Sequence, residues 1–148
     1  GAGTVLSADQ AERAVHAGAK FIVSPGFSSA VVNFCQARNL PIFPGVCTPT
    51  DIMAALEAEL TMLKFFPADA FGGLKTLKAL SAPFPQAEFI PTGGISAANL
   101  AEYLGFKKVM ACGGSWMVKS ELINEGKFDE IKRLTEEAVA LKRTARPE

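Results

Sequence analysis

Short, continuously apolar runs alternate along this chain with longer stretches in which apolar residues recur every three or four positions. The first pattern predicts strands covered on both faces, and the second predicts amphipathic helices. The strand-like runs are the end of a strand at 1–5, Phe21-Ile22-Val23, Pro41-Ile42-Phe43-Pro44-Gly45, 62–66, 88–90 and 108–112. A helix capped by Ser7, with Asp9 and Gln10 in its first turn and Gly18 at its end, carries Ala11, Ala14, Val15 and Ala19. Ser28 caps a second helix through Arg38, with Val31, Val32, Phe34 and Cys35 as its buried stripe. Thr48-Pro49-Thr50-Asp51 opens a third, followed by Ile52, Met53, Leu56 and Leu60. Further helices are predicted at about 72–80 and from a Ser96 cap to about 104. After a polar stretch at 120–126, a long amphipathic helix carries Phe128, Ile131, Leu134, Ala138, Val139 and Leu141, and its tail frays near Pro147.

The pattern counts six strand-then-helix units, which belongs to a parallel sheet, either doubly wound or closed as a (β/α)8 barrel. A barrel needs eight units. The last two strands both end in Gly-Gly, at Pro91-Thr92-Gly93-Gly94 and Cys112-Gly113-Gly114-Ser115. Barrels frequently bind phosphate at the loops after strands seven and eight, where backbone N–H groups can approach an anion. That numbering makes the lysine-bearing run 62–66 the sixth strand and 1–5 the end of the third. Residues 1–148 are therefore expected to form a single domain, the C-terminal three quarters of a barrel, without its first two βα units. Its third and eighth strands would be unpaired edges, and such a chain should aggregate or take the missing units from elsewhere.

Lys64 interrupts the apolar run Met62-Leu63-Lys64-Phe65-Phe66, which Pro67 stops. Burying an ammonium is costly unless it is paired or neutral, and a neutral lysine amine condenses with ketones. The position, near the carboxyl end of a strand, is where parallel α/β folds place chemistry. The alternative is a strand-end lysine whose ammonium reaches solvent.

Composition narrows the options. Lys plus Arg and Asp plus Glu number 15 each in 148 residues, so no basic footprint for nucleic acid is present. No apolar run reaches membrane-spanning length. Cys35, Cys47 and Cys112 have no paired spacing and read as reduced thiols in a reducing compartment, without a disulfide framework or a zinc site. No His, Asp or Glu cluster offers a metal site, and His16 is the only histidine.

Taken in order, Gly1-Ala2-Gly3-Thr4-Val5, Ser24-Pro25-Gly26, Pro44-Gly45, Lys64-Phe65-Phe66-Pro67-Ala68, Pro91-Thr92-Gly93-Gly94-Ile95 and Gly113-Gly114-Ser115-Trp116 resemble 2-keto-3-deoxy-6-phosphogluconate aldolase (KDPG/KHG aldolase) along the whole chain. The resemblance implies a class I aldolase of the Entner–Doudoroff pathway, a TIM barrel assembled as a homotrimer in the cytoplasm, acting on a phosphorylated keto acid without cofactor or metal. It implies that Lys64 forms the Schiff base and that Thr4 and Thr92 surround the pyruvate carboxylate and keto group. Pro25 and Phe66 would wall the pocket, and Gly93, Gly94 and Ser115 would hold phosphate. The family's general acid/base is a glutamate on the second strand, followed closely by an arginine. Neither maps onto this sequence, so at most a small fraction of ordinary aldolase activity is expected from the chain alone.

Other residues carry plainer readings. Cys35 and Cys112 are small core residues, Cys47 is structural, Trp116 packs, and His16 is solvated. Asp69 is the one nearby acid that could replace the glutamate, against a solvated or capping role. Two further readings stay open: another phosphate-binding barrel enzyme that makes no imine, and a phosphate-binding piece of a barrel without turnover.

Overall fold

The computed structural model describes residues 1–146 and is an α/β structure with parallel strands. In chain order its elements are α1 (Ala8–His16), β1 (Ile22–Val23), α2 (Ser29–Gln36), β2 (Ile42–Phe43), β3 (Gly45–Val46), α3 (Pro49–Glu57), β4 (Met62–Phe65), α4 (Gly73–Ser81), β5 (Glu88–Pro91), α5 (Leu100–Leu104), α6 (Ser120–Asn124) and α7 (Phe128–Ala145). Pro147, where the sequence suggested a fraying tail, lies outside the described residues.

The strands run parallel in sequence order. β1 pairs with β2, and β3–β4–β5 form a second ladder with Gly45 opposite Lys64 and Lys64 opposite Ile90. Ala2 bridges to Ile22 at one end, and Val109 and Gly113 bridge to Phe89 and Thr92 at the other. The run Pro41 to Gly45, expected as one strand, is two, because Pro44 has no N–H to donate and sits between them. Its carbonyl still accepts from Lys64 N at 2.9 Å, so β2 and β3 hand the pairing from one neighbour to the other.

Helix starts follow local chemistry. Ser7 Oγ accepts from Gln10 N, and Thr48 with Asp51 forms a reciprocal capping box with Pro49 in the first turn. The helix predicted from Ser96 is shorter than expected. Ser96 does not cap it; residues 97–99 form a turn, and α5 begins at Leu100. The reason is Asn99, whose Oδ1 accepts from Ser96 N and whose Nδ2 donates to Gly94 O, closing the loop on itself before the helix can start.

Three more expectations change. The run 108–112 is held by single bridges instead of a continuous strand, since it has a ladder neighbour on one side only among the described residues. The stretch 120–126 contains the short helix α6. Met53, expected to be buried, is exposed, as are Phe128 and Val139 on α7, whose contact with the rest of the fold runs through Ala138, Leu141 and Ala145.

Two apolar clusters make up the core. One gathers Val5, Ala11, Ile22, Val31, Val32, Cys35 and Ile42. The larger gathers Leu63, Phe65, Leu77, Phe89, Ile52, Tyr103 and Val109 with their neighbours, and Phe27 and Leu60 touch both. Each fully buried Phe or Leu contributes about 1.5–3 kcal/mol. Leu63 and Phe65 face this larger cluster while Lys64, between them, does not belong to it, as strand alternation requires.

Candidate active site

Lys64 sits on β4 with 8% of its surface exposed. Burial pushes its amine below the ordinary lysine pKa. No carboxylate lies within ion-pair distance of it among the described residues. Its Nζ stands 4.3 Å from the centroid of the Phe66 ring. A protonated amine would gain a cation–π contact there, but the ring cannot accept a proton or neutralise the charge. The arrangement is a buried amine whose charged form is penalised, at the mouth end of a parallel strand.

Phe66 connects this amine to a cavity of about 360 Å³, which it lines together with Thr92, Gly93, Gly94, Ile95, Gly113, Gly114 and Ser115. Both Gly-Gly loops therefore open into one space. Gly93 and Gly94 have φ of +96° and +77°, a region costly for other residues. A side chain on Gly94 would also collide with Asp69 Cβ at 2.2 Å. The Thr92 hydroxyl donates to Ile90 O, and a Cβ on Gly113 would come 2.7 Å from it. Trp116 lies over Gly114, whose added Cβ would meet the indole at 1.9 Å, so this indole packs against the loop backbone.

Pro25 reaches the site through the backbone. Its carbonyl lies so close to Gly45 that a Cβ there would be 1.9 Å away, and Gly45 is the ladder partner of Lys64. Thr4 is placed apart. It is exposed with φ of +58° and lines a separate depression with Gln10 and Arg13. The structure thus gathers Phe66, Thr92, Gly93, Gly94 and Ser115 around one cavity, with Lys64 beside it across the Phe66 ring and Pro25 one strand away. It does not bring Thr4 into that cavity.

Asp69 caps no helix. α4 starts at Gly73, with Gly72 as an N-cap that offers no side-chain bond, and Asp69 contributes its N–H to Gly93 O at 3.1 Å while its exposed side chain rests against Gly94. Cys47 donates its N–H to Asp51 at 3.0 Å, with its thiol 3.6 Å from the same oxygen, and burial together with that carboxylate pushes the thiol up. The thiol of Cys112 is pushed up by burial to about 11, and Arg146 only partly opposes this. Neither is poised as a nucleophile. Cys112 belongs to a second, apolar cavity of about 370 Å³ between α5, α7 and residues 110–117, walled by Leu104, Trp116 and Val139. Among the described residues no group of His, Cys, Asp or Glu could hold a metal ion, and no helix is long and apolar enough to cross a membrane.

The sequence reading missed Asn99. Its spacing, five residues after Gly94 in Gly-Gly-Ile-Ser-Ala-Ala-Asn, is the available signal, because an Asn side chain readily bonds backbone a few residues away. It also missed Lys108, whose Nζ donates to the carbonyls of Phe84, Pro85 and Ala87 at 3.0, 2.6 and 3.2 Å.

A family model for KDPG and KHG aldolase matches residues 1–134. The chain belongs to this family. A 2-dehydro-3-deoxy-phosphogluconate aldolase of Treponema pallidum is 45% identical over 141 residues, covering 95% of this chain and 67% of the relative. The chain spans about two thirds of the length of the curated relatives it matches. A 2-keto-3-deoxy-6-phosphogluconate aldolase of Zymomonas mobilis, solved with 3-phosphoglycerate, superimposes with a TM-score of 0.90 at 39% identity, over 98% of this chain and 68% of that one. A KDPG aldolase of Legionella pneumophila, solved with pyruvate captured as a covalent carbinolamine intermediate, superimposes with a TM-score of 0.87 at 41% identity, over 95% and 67%.

Proposed function

We propose that Lys64 is the Schiff-base nucleophile of a class I aldolase that cleaves 2-keto-3-deoxy-6-phosphogluconate to pyruvate and glyceraldehyde 3-phosphate. The observation that carries this reading is the Lys64 amine, buried and without a carboxylate partner among the described residues, 4.3 Å from the centroid of the Phe66 ring, which lines a cavity walled by two Gly-Gly loops. Family membership supplies the reaction.

The unprotonated amine adds to the C2 ketone, and the carbinolamine loses water to a protonated imine. That imine takes up the electron pair when C3–C4 breaks, as the C4 hydroxyl gives its proton to a base and the aldehyde departs. The enamine gains a proton at C3, and hydrolysis of the imine returns pyruvate and the free amine. Thr92 would bind around the pyruvate carboxylate and keto group, Pro25 and Phe66 would wall the pocket, and Gly93, Gly94 and Ser115 would hold the phosphate by neutral donors; Thr4, exposed and apart from the cavity, has no such role in this arrangement.

The reading includes a (β/α)8 barrel to which this chain contributes the third to eighth strands, supported by the parallel order and by Gly-Gly loops at the last two strand ends. It includes a homotrimer and a cytoplasmic setting, the latter supported by three free cysteines.

Incubation with pyruvate and borohydride followed by peptide mass analysis tests the imine. A reduced pyruvate adduct on Lys64, lost in K64M, is expected. Wild-type protein without added mass at Lys64 would sink the aldolase reading in favour of a barrel that makes no imine. Turnover of 2-keto-3-deoxy-6-phosphogluconate, measured through pyruvate release, then separates an active aldolase from a phosphate-binding piece without turnover.

A further inference from the structure

We infer that Asn99 is a positioning residue for the oxyanion-binding loop, turning the N–H groups of Gly94 and Ile95 toward the phosphate of the substrate. The inference rests on the aldolase reading for the identity of that substrate, but its geometry stands independently.

Three successive carbonyls of this loop are each held, two by donors from the loop after Lys64 and one by a side chain at the loop's own end. Thr92 O accepts from Ala68 N at 2.9 Å, Gly93 O from Asp69 N at 3.1 Å, and Gly94 O from Asn99 Nδ2 at 2.9 Å. In a trans peptide the C=O of one residue and the N–H of the next point in opposite directions. Fixing Gly93 O and Gly94 O therefore aims the N–H groups of Gly94 and Ile95 away from Asp69 and Asn99. Neither N–H has a protein acceptor among the described residues, and both residues line the cavity that contains Ser115. The next N–H, that of Ser96, is directed elsewhere: it donates to Asn99 Oδ1 at 2.8 Å.

Two of the three anchors are backbone groups of the loop that follows Lys64, and no side-chain change removes them. Asn99 is the one anchor made by a side chain, and it needs both ends of its amide. Its Nδ2 sets the peptide plane that ends at Ile95, and its Oδ1 ends the donor series at Ser96. Both bonds need one side chain that carries a donor and an acceptor on separate atoms spaced as in an amide. An aspartate keeps the acceptor and loses the donor, and places a carboxylate against Gly94 O. Two unpartnered N–H groups in a partly enclosed site, without a cation, suit a tetrahedral oxyanion whose several oxygens can each accept a bond.

The test is an amide-resolved NMR titration with inorganic phosphate, repeated with glyceraldehyde 3-phosphate, on wild type, N99D and N99S. Pyruvate–borohydride trapping at Lys64 runs in parallel, since pyruvate carries no phosphate. Wild type should show phosphate-dependent shifts at Gly94 and Ile95 larger than at Ser96. N99D should weaken phosphate at least tenfold while its trapping rate stays within twofold of wild type, and N99S, which retains a small polar group, should fall between. Equal phosphate affinity in wild type and N99D, shifts centred on Ser96, or trapping that falls as much as phosphate binding would each overturn the inference. Should N99D not fold, N99S and the wild-type shift pattern decide it. Failure of the aldolase reading looks different: no pyruvate adduct in wild type, with the Asn99 dependence of phosphate binding intact.

Discussion

At Lys64 the conflict between stability and chemistry is concentrated in one side chain. The folded state disfavours the charged amine, so between its folded pKa and the ordinary value of 10.5 the unfolded chain binds more protons. Stability contributed at this position therefore rises as the pH climbs through that window and is lowest below it. K64M removes the burden. Its urea midpoint at pH 7 should exceed that of wild type, and the gap should shrink toward pH 10.5; a K64M protein less stable than wild type at pH 7 would contradict the cost assigned to burial. The same side chain was readable in the sequence as a single lysine in Met62-Leu63-Lys64-Phe65-Phe66. That run alone also fits a strand-end lysine reaching solvent, and the Pro67 stop and two later Gly-Gly loops were needed to favour chemistry. Asn99 was not readable. One asparagine in a polar loop carries no periodic signal, and its value comes from two backbone groups, Gly94 O and Ser96 N, that only the folded loop brings to it.

Among elements, the capping box of α3 and the Lys108 clamp do different work. Burial alone would raise the Asp51 carboxyl, but bonds from Cys47 N, the Thr48 hydroxyl and Thr48 N outweigh it and hold the carboxyl below its usual value. That contribution is present above the ordinary carboxylate range and is lost as pH falls through the lowered pKa. T48A should cost about 1 kcal/mol by denaturant unfolding. Lys108 ties three carbonyls of the α4–β5 loop to the last strand segment, and charged hydrogen bonds contribute about 1.5–3 kcal/mol. K108M should therefore destabilise by about 2 kcal/mol, with pyruvate trapping at Lys64 unchanged; a loss below about 0.5 kcal/mol would show that water replaces the clamp. Helix starts at Ser7, Ser28 and Thr48 were legible because caps are local. The late start of α5 and the division at Pro44 were not, although their causes are local, because a side-chain bond from Asn99 and a missing N–H at Pro44 leave the apolar pattern unchanged. The weak 108–112 pairing was not, since it depends on partners distant in sequence.

At the scale of the molecule, apolar surface remains on the side built by α6, α7 and residues 110–118. Phe128 is 63% exposed and Ile123 49%, and the apolar cavity beside Trp116 opens nearby. Patches of this kind promote association. Sedimentation velocity should show mass rising with concentration, and V139K with M110K should reduce it; a monodisperse monomer at high concentration would argue that this face is self-sufficient. The expectation of parallel βα units came from short, continuously apolar runs alternating with stretches of helical period, and the strands are parallel in the structure. The exposure of Met53 and Phe128 did not follow from that alternation, because an apolar stripe says which face could be buried and not what covers it. Pro44 also divides the molecule in time. It stands where the ladder passes from the smaller apolar cluster to the larger, with Phe27 and Leu60 alone among the described residues touching both. Amide hydrogens should therefore exchange in two protection classes that meet at residues 44–45. A parting of that seam would break the bond from Lys64 N to Pro44 O, so the burial that disfavours the charged Lys64 amine depends on the two clusters staying together.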